Sequence, residues 1–133
     1  MPALYVDTSA LGRVLLGEPD AGAVLDALER FDGWLASEML RVELRRLALR
    51  SDCLGDADRL LEGTALVPVD GGVLRAAETI EPRGVATLDA IHLATAVKLR
   101  DADLIAAMVT YDTRLAAGAR HHGLDVLAPG RSG

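Results

Sequence analysis

Short apolar runs alternate along this chain with longer segments in which apolar residues recur every three or four positions. The short runs are typical of β-strands, and the longer spacing, as at Val24, Leu25 and Leu28, is typical of amphipathic helices. Strands are predicted at residues 4–6, 34–36, 66–69, 105–110 and 126–127. Helices are predicted between them, at residues 8–16, 21–30, 37–50, 56–62, 73–80, 87–100 and 113–121.

This alternation predicts a central, mostly parallel sheet covered by helices on both faces, that is, a three-layer α/β/α sandwich. Pro68 favours an edge position for the strand 66–69, because proline has no amide hydrogen to donate. The length suits one domain, and we expect residues 1–133 to form it, with a loose tail at about 129–133. Sheets of this kind place their sites at the carboxyl ends of the strands.

Composition and charge favour a folded enzyme over a nucleic-acid-binding scaffold. Half of the residues are hydrophobic, whereas disordered chains contain far fewer. The net charge of −6 counts against a tight, non-catalytic nucleic-acid binder, since phosphate contacts dominate that affinity. Cys53 is the only cysteine, and the first residues resemble neither a signal peptide nor a membrane span. We therefore expect a cytoplasmic protein without a disulfide or a membrane contact.

Two aspartates directly follow predicted strands. Asp7 comes after the run 4–6, and Asp112 follows the most apolar run. Each could simply cap the next helix, because aspartate is favoured at that position. Thr8 or Ser9 could cap the first helix instead, which makes Asp7 redundant as a cap. The same arrangement on two strands favours a shared function.

Two further acids lie on predicted helices. The helix 87–100 is apolar almost all round, which indicates burial, and Asp89 is its only carboxylate. A buried carboxylate needs a partner or a metal, although a first-turn aspartate also suits the helix dipole. Glu43 lies at the edge of the apolar stripe of the helix 37–50. A surface ion pair with Arg46 is the simpler interpretation for that glutamate.

Together the four acids predict one metal site. Carboxylates gathered in a cleft raise one another's pKa, and a divalent cation removes that repulsion. Oxygen ligands point to Mg²⁺ or Mn²⁺. Zinc is not expected, because the histidines have no zinc spacing with the single cysteine; they are His92, His121 and His122. Two such cations could activate water and stabilise a leaving oxygen.

Four motifs resemble those of the PIN-domain family and, more narrowly, of the VapC toxins of bacterial toxin–antitoxin pairs. They are the opening Leu-Tyr-Val-Asp-Thr-Ser-Ala-Leu, the helix from Ser37 through Glu43, the segment Thr87-Leu-Asp-Ala-Ile-His-Leu-Ala-Thr-Ala96 and the segment Val109-Thr-Tyr-Asp-Thr-Arg-Leu115. Their order and spacing span nearly the whole chain. The resemblance implies a PIN-type α/β/α sandwich and Mg²⁺- or Mn²⁺-dependent endoribonuclease activity.

The resemblance also implies roles for individual residues. The family's acidic quartet matches Asp7, Glu43, Asp89 and Asp112, and two supporting polar positions match Ser9 and Thr110. The three aspartates would hold the metals, and Glu43 would help to orient the attacking water. RNA cleavage would leave a 5′-phosphate and a 3′-hydroxyl. A homodimer silenced by a small cognate antitoxin is implied as well.

Other functions stay open from the residues alone. A strand-end aspartate can be a phosphotransfer nucleophile, but dehalogenase-like phosphatases have a second aspartate where this chain has Ser9, and Lys98 lies within a helix rather than after a late strand. A catalytically silent PIN-like module could use the same acids to dock a basic partner. A glycosidase ranks last, because the chain has few aromatic residues to stack on sugars.

Overall fold

A computed structural model of the protein describes residues 2–131. Within that range the strands are β1 (Ala3–Val6), β2 (Trp34–Ser37), β3 (Thr64–Val67), β4 (Ile105–Val109) and β5 (Val126–Leu127). The helices are α1 (Thr8–Leu15), α2 (Ala21–Glu29), α3 (Met39–Arg50), α4 (Leu54–Glu62), α5 (Gly71–Thr79), α6 (Thr87–Asp101) and α7 (Thr113–His121). None of these helices is long and apolar enough to cross a membrane.

All strands join one parallel sheet in the order β3-β2-β1-β4-β5, which confirms the predicted α/β class. β3 lies at an edge, as Pro68 indicated, although the strand ends at Val67 and begins two residues before the predicted start. β1 lies at the centre, with Val6 opposite Val109 of β4. The residues that follow these two strands therefore emerge side by side at the carboxyl edge of the sheet.

Alternating side chains of β1 enter two different cores. Leu4 and Val6 belong to a cluster built with α1, α2, α3 and α4, whereas Tyr5 belongs to a cluster built with α6 and α7. Successive residues of a strand point to opposite faces of its sheet. Helices therefore cover both faces, and the predicted three-layer arrangement is confirmed.

Helix α6 is the most deeply buried helix segment of the fold. Residues 90–96 are all buried, as their apolar sequence predicted, and they include the polar side chains of His92 and Thr95. The helix begins at Thr87, but its N-cap residue is Ala86, so the predicted cap is displaced by one residue.

The end of the described chain packs against Tyr111. The Tyr111 hydroxyl donates a hydrogen bond to the carbonyl of Pro129, and the Arg131 guanidinium lies 5.1 Å from the tyrosine ring centroid. The tail that we predicted to be loose therefore makes contacts at residues 129–131. Residues 132–133 lie outside the described part of the chain.

Candidate active site

Asp7 is a buried carboxylate with three hydrogen-bond donors at the carboxyl end of β1. It is 5% exposed. Oδ1 accepts hydrogen bonds from the Ser9 hydroxyl at 2.7 Å and the Ala10 amide at 3.2 Å, and Oδ2 accepts one from the Thr110 hydroxyl at 2.9 Å. Burial raises the pKa of Asp7, and the three hydrogen bonds oppose that rise only in part.

Asp7 is also the N-cap of α1. We expected Thr8 or Ser9 to cap this helix, and that expectation is wrong. The Thr8 hydroxyl is buried with no hydrogen-bond partner among the described residues. The Ser9 hydroxyl instead donates to Asp7 and accepts from the Tyr111 amide at 2.8 Å. The same oxygen of Asp7 therefore caps α1 and accepts the Ser9 hydroxyl.

Thr110 links two of the predicted site residues. Its hydroxyl donates to Asp7 and accepts a hydrogen bond from the Asp112 amide at 3.1 Å. The pairing of β1 with β4 explains this contact, because it sets residue 7 beside residue 110. Ser9 lies 3.3 Å from the same hydroxyl. The structure thus brings together Asp7, Ser9, Thr110 and the backbone of Asp112.

Asp112 is the N-cap of α7. Its Oδ1 accepts hydrogen bonds from the amides of Arg114 at 2.9 Å and Leu115 at 3.1 Å. The capping interpretation considered from the sequence is therefore correct for this residue as well. It does not exclude a second role, because Asp112 also acts electrostatically on Asp89.

Asp89 lies in the first turn of α6, half-buried at the start of the buried segment. Desolvation raises the pKa of Asp89, and the negative charge of Asp112 raises it further. Glu43 adds a third contribution of the same sign, while the guanidinium of Arg114 acts in the opposite direction. The charges of Glu43 on α3 and of Asp112 at the start of α7 therefore both act on Asp89 of α6.

Glu43 contacts a residue that local spacing could not indicate. Its Oε1 lies 2.6 Å from Nε2 of His92, which is buried in α6. The ion pair with Arg46 that we considered from the sequence is replaced by this longer-range contact. The side chain of Glu43 is 24% exposed, so solvent still reaches it.

Tyr5 and His92 are the residues of this region that lie outside the predicted acidic quartet. The Tyr5 hydroxyl lies 2.6 Å from Nδ1 of His92 and accepts a hydrogen bond from the Ser37 amide at 3.1 Å. Burial raises the pKa of Tyr5, which keeps the phenol protonated. A signal was available, since a tyrosine and a histidine at inward positions of buried elements each need polar partners.

The four predicted acids, called the acidic cluster below, have the donor chemistry that suits a hard divalent cation, although they do not form a complete metal site; they are Asp7, Glu43, Asp89 and Asp112. Among residues 2–131, no three acidic, histidine or cysteine side chains are grouped closely enough to hold a metal as they stand. Protein donors engage the carboxylates of Asp7, Glu43 and Asp112 instead. Carboxylate oxygens are the ligands that Mg²⁺ and Mn²⁺ prefer. Burial alone raises the pKa of Asp7, whereas burial and the charges of Asp112 and Glu43 raise that of Asp89; a cation would relieve both effects.

Comparison with known proteins identifies the family. A model of the PIN domain matches residues 4–127. The chain belongs to the PIN domain family. Ribonuclease VapC47 of Mycobacterium tuberculosis is 37% identical over 134 residues, covering 96% of this chain and 97% of that protein. Ribonuclease VapC46 of the same species is 36% identical over 131 residues, covering 97% of this chain and 99% of that protein.

Two solved PIN-type structures share the fold. One is a toxin–antitoxin complex from Klebsiella pneumoniae, with a TM-score of 0.73 and 20% identity over 98% of this chain and 99% of that one. The other is VapC20 of Mycobacterium tuberculosis, described as a toxin that cleaves the sarcin–ricin loop, with a TM-score of 0.66 and 18% identity over 86% of this chain and 94% of that one. At these identities the likeness shows the fold alone.

Proposed function

We propose that this PIN-domain protein is a metal-dependent endoribonuclease and the toxin of a type II toxin–antitoxin pair. The observation that carries the proposal is that carboxylates from three separate elements act on one another: the pKa of Asp89 in α6 is raised first by desolvation and then by the charges of Asp112 and Glu43. The capping role of Asp112 does not explain why Asp89 and Glu43 act in the same electrostatic field, and their mutual repulsion is unfavourable without a compensating cation. The full-length relatives named as VapC ribonucleases support the same activity.

Asp7, Asp89 and Asp112 would hold the cation. Mg²⁺ or Mn²⁺, when bound, supplies a water of lowered pKa and a charge that stabilises the leaving oxygen. Asp7 is fixed by Ser9 and Thr110, so its carboxylate is oriented before any ligand arrives.

Glu43 would orient the attacking water and take up its proton. It is partly exposed and its charge acts on Asp89, whereas Asp7 is almost completely buried. Attack at phosphorus in line with the leaving oxygen would give a 5′-phosphate and a 3′-hydroxyl. RNA as substrate would place the reaction in the cytoplasm.

The proposal includes two protein partners. One is a small cognate antitoxin, for which the acidic cluster offers a dock for a basic side chain. The other is a second copy of the chain, since exposed leucines on α5 and α6 offer apolar surface; Leu74 and Leu88 are each 45% exposed. Light scattering of the purified toxin and of the co-expressed pair would measure both assemblies.

The decisive experiment compares Asp7→Asn with Asp70→Asn in an RNA cleavage assay with and without EDTA. Asp70 is a matched control, because it caps α5 with nearly the same backbone conformation and accepts a 2.9 Å hydrogen bond from Val73. We expect wild type and Asp70→Asn to cleave RNA with Mg²⁺ or Mn²⁺ and to stop with EDTA. Asp7→Asn should fold and lose cleavage by more than about 100-fold, beyond the range of a supporting residue.

Three outcomes would overturn this function. Full cleavage by folded Asp7→Asn would remove the assigned site. Antitoxin binding by a wild type that neither binds metal nor cleaves RNA would favour a docking module. A trapped phosphoaspartate at Asp7 would favour phosphotransfer.

A further inference from the structure

A chain of hydrogen bonds runs from the middle of the sheet to Glu43. The Ser37 amide donates to the Tyr5 hydroxyl at 3.1 Å, that hydroxyl lies 2.6 Å from Nδ1 of His92, and Nε2 of His92 lies 2.6 Å from Oε1 of Glu43. Tyr5 is fully buried and His92 is 2% exposed. This series of hydrogen bonds therefore links the sheet to the partly exposed carboxylate of Glu43 through the buried rings of Tyr5 and His92.

Hydrogen-bond accounting assigns a direction to this chain. The Tyr5 oxygen accepts from the Ser37 amide, so its single proton is available to Nδ1 of His92. A neutral imidazole with Nδ1 as acceptor carries its proton on Nε2. Nε2–H then donates to Glu43. With this tautomer each of the three donors has an acceptor; the donors are the Ser37 amide, the Tyr5 hydroxyl and Nε2–H of His92.

We propose that Tyr5 and His92 are positioning residues that fix the carboxylate of Glu43 for the cleavage reaction. The inference rests on the proposed function, because it assigns Glu43 the water-orienting role. It adds residues outside the acidic quartet, and neither touches the substrate in this assignment.

The physical reason lies in the freedom of a glutamate side chain. Three rotatable bonds separate the Glu43 carboxylate from α3, and fixing them costs conformational entropy. His92 is buried within α6 and its Nδ1 is engaged by Tyr5, so it is a fixed donor. With Oε1 bonded to the ring, the other carboxylate oxygen stays available to accept a proton from water. His92 also lies one turn after Asp89 on α6, which ties Glu43 to the position of that aspartate.

The test is a double-mutant cycle on Mg²⁺-dependent RNA cleavage with His92→Leu and Glu43→Ala. If His92 acts through Glu43, His92→Leu lowers kcat by about 10- to 100-fold with little change in KM, which is the usual range for such supporting contacts. The double variant should then be no slower than Glu43→Ala alone. Additive losses, or an unchanged kcat in His92→Leu, would overturn the proposal.

Conservative variants separate positioning from packing. His92→Gln keeps an amide donor near the Nε2 position and should recover part of the kcat lost in His92→Leu. Tyr5→Phe removes only the hydroxyl and should lower kcat less than His92→Leu. Thr95→Val is the matched control, since it removes a buried 2.7 Å hydrogen bond from the same helix, to the Ile91 carbonyl, away from Glu43. It should leave kcat unchanged.

Nitrogen-15 NMR of the histidine rings gives a readout independent of activity. The wild-type spectrum should show His92 with a protonated Nε2 and a bare Nδ1, assigned by its loss in His92→Gln. Tyr5→Phe should shift the Nδ1 signal. A His92 ring protonated only on Nδ1 would contradict the proposed direction, even in a protein that fails to cleave RNA. Absence of cleavage together with the expected spectrum would refute the proposed function and leave the hydrogen-bond chain intact.

Discussion

The Thr110 hydroxyl donates a 2.9 Å hydrogen bond to Oδ2 of Asp7, a residue 103 positions earlier in the chain. The contact follows from the parallel pairing of β1 with β4, which sets Val6 opposite Val109. The Thr110 hydroxyl can reach Asp7 only when these two strands are in register. Its hydrogen bond also lowers the pKa of the buried carboxylate. The first prediction concerns this bond.

Thr110→Val should weaken cleavage most strongly at acidic pH. The hydrogen bond from Thr110 lowers the pKa of Asp7, so its loss raises a pKa that burial has already raised. A larger fraction of Asp7 is then protonated at a given acidic pH. The acid limb of the pH–activity profile therefore moves to higher pH. A hydrogen bond to a charged group is worth about 1.5–3 kcal/mol. We expect a loss of about tenfold below neutral pH and a partial recovery at alkaline pH.

Thr110→Ser is the control for this prediction, because it keeps the hydroxyl that contacts Asp7 and the Asp112 amide. Its pH profile should resemble that of wild type. A uniform loss for Thr110→Val at every pH would indicate a packing defect instead.

Asp112 allows capping and chemistry to be separated. Asparagine caps helices about as well as aspartate, whereas alanine costs about 1 kcal/mol of stability at an N-cap. Asp112→Asn should therefore unfold near the wild-type urea midpoint, and Asp112→Ala should be less stable by about 1 kcal/mol. Both should lose Mg²⁺-dependent cleavage by more than about 100-fold, because both remove the charge. Retention of cleavage by the asparagine variant would mean that Asp112 is only a cap.

The sequence predicted which site residues follow the ends of strands. It did not predict hydrogen-bond partners that come from a different helix or strand. Asp7 and Asp112 could be placed at one sheet edge, because parallel strands share their carboxyl ends. The position of Thr110 beside Asp7 needed the strand order, which periodicity does not contain. Glu43 illustrates the limit best, since spacing suggests partners one turn away, such as Arg46, and its contact is 49 residues distant.

Asp7→Asn should stabilise the protein in EDTA at neutral pH. Burial raises the pKa of Asp7 in the folded state, so the folded protein binds this proton more tightly than the unfolded chain does. The contribution of protonated Asp7 to the free energy of unfolding of wild type is therefore fully present below the unfolded pKa of about 3.9. It is lost as pH rises through the pKa of the folded state. Asparagine does not ionise, and the variant should gain about 1 kcal/mol at pH 7, the order of an incompletely compensated buried polar group.

Urea unfolding of both proteins between about pH 4 and pH 7 measures this difference. The stability gap in favour of Asp7→Asn should widen as pH rises and should be small near pH 4. A gap that is independent of pH would show that the carboxylate is not destabilised by burial. Such a gain at the expense of activity is common where a functional group is buried.

Divalent cations should stabilise the folded protein through Asp89. A ligand that binds only the folded state adds about 2.7 kcal/mol at 100 times its Kd, and thermal unfolding with increasing MgCl₂ or MnCl₂ measures that gain. Desolvation and the charge of Asp112 raise the pKa of Asp89, so protons compete with the cation and its apparent affinity should increase as pH rises. Asp89→Asn should remove most of the gain, whereas the exposed cap variant Asp70→Asn should retain it. Equal stabilisation of Asp89→Asn and wild type by Mg²⁺ would place the cation away from the acidic cluster.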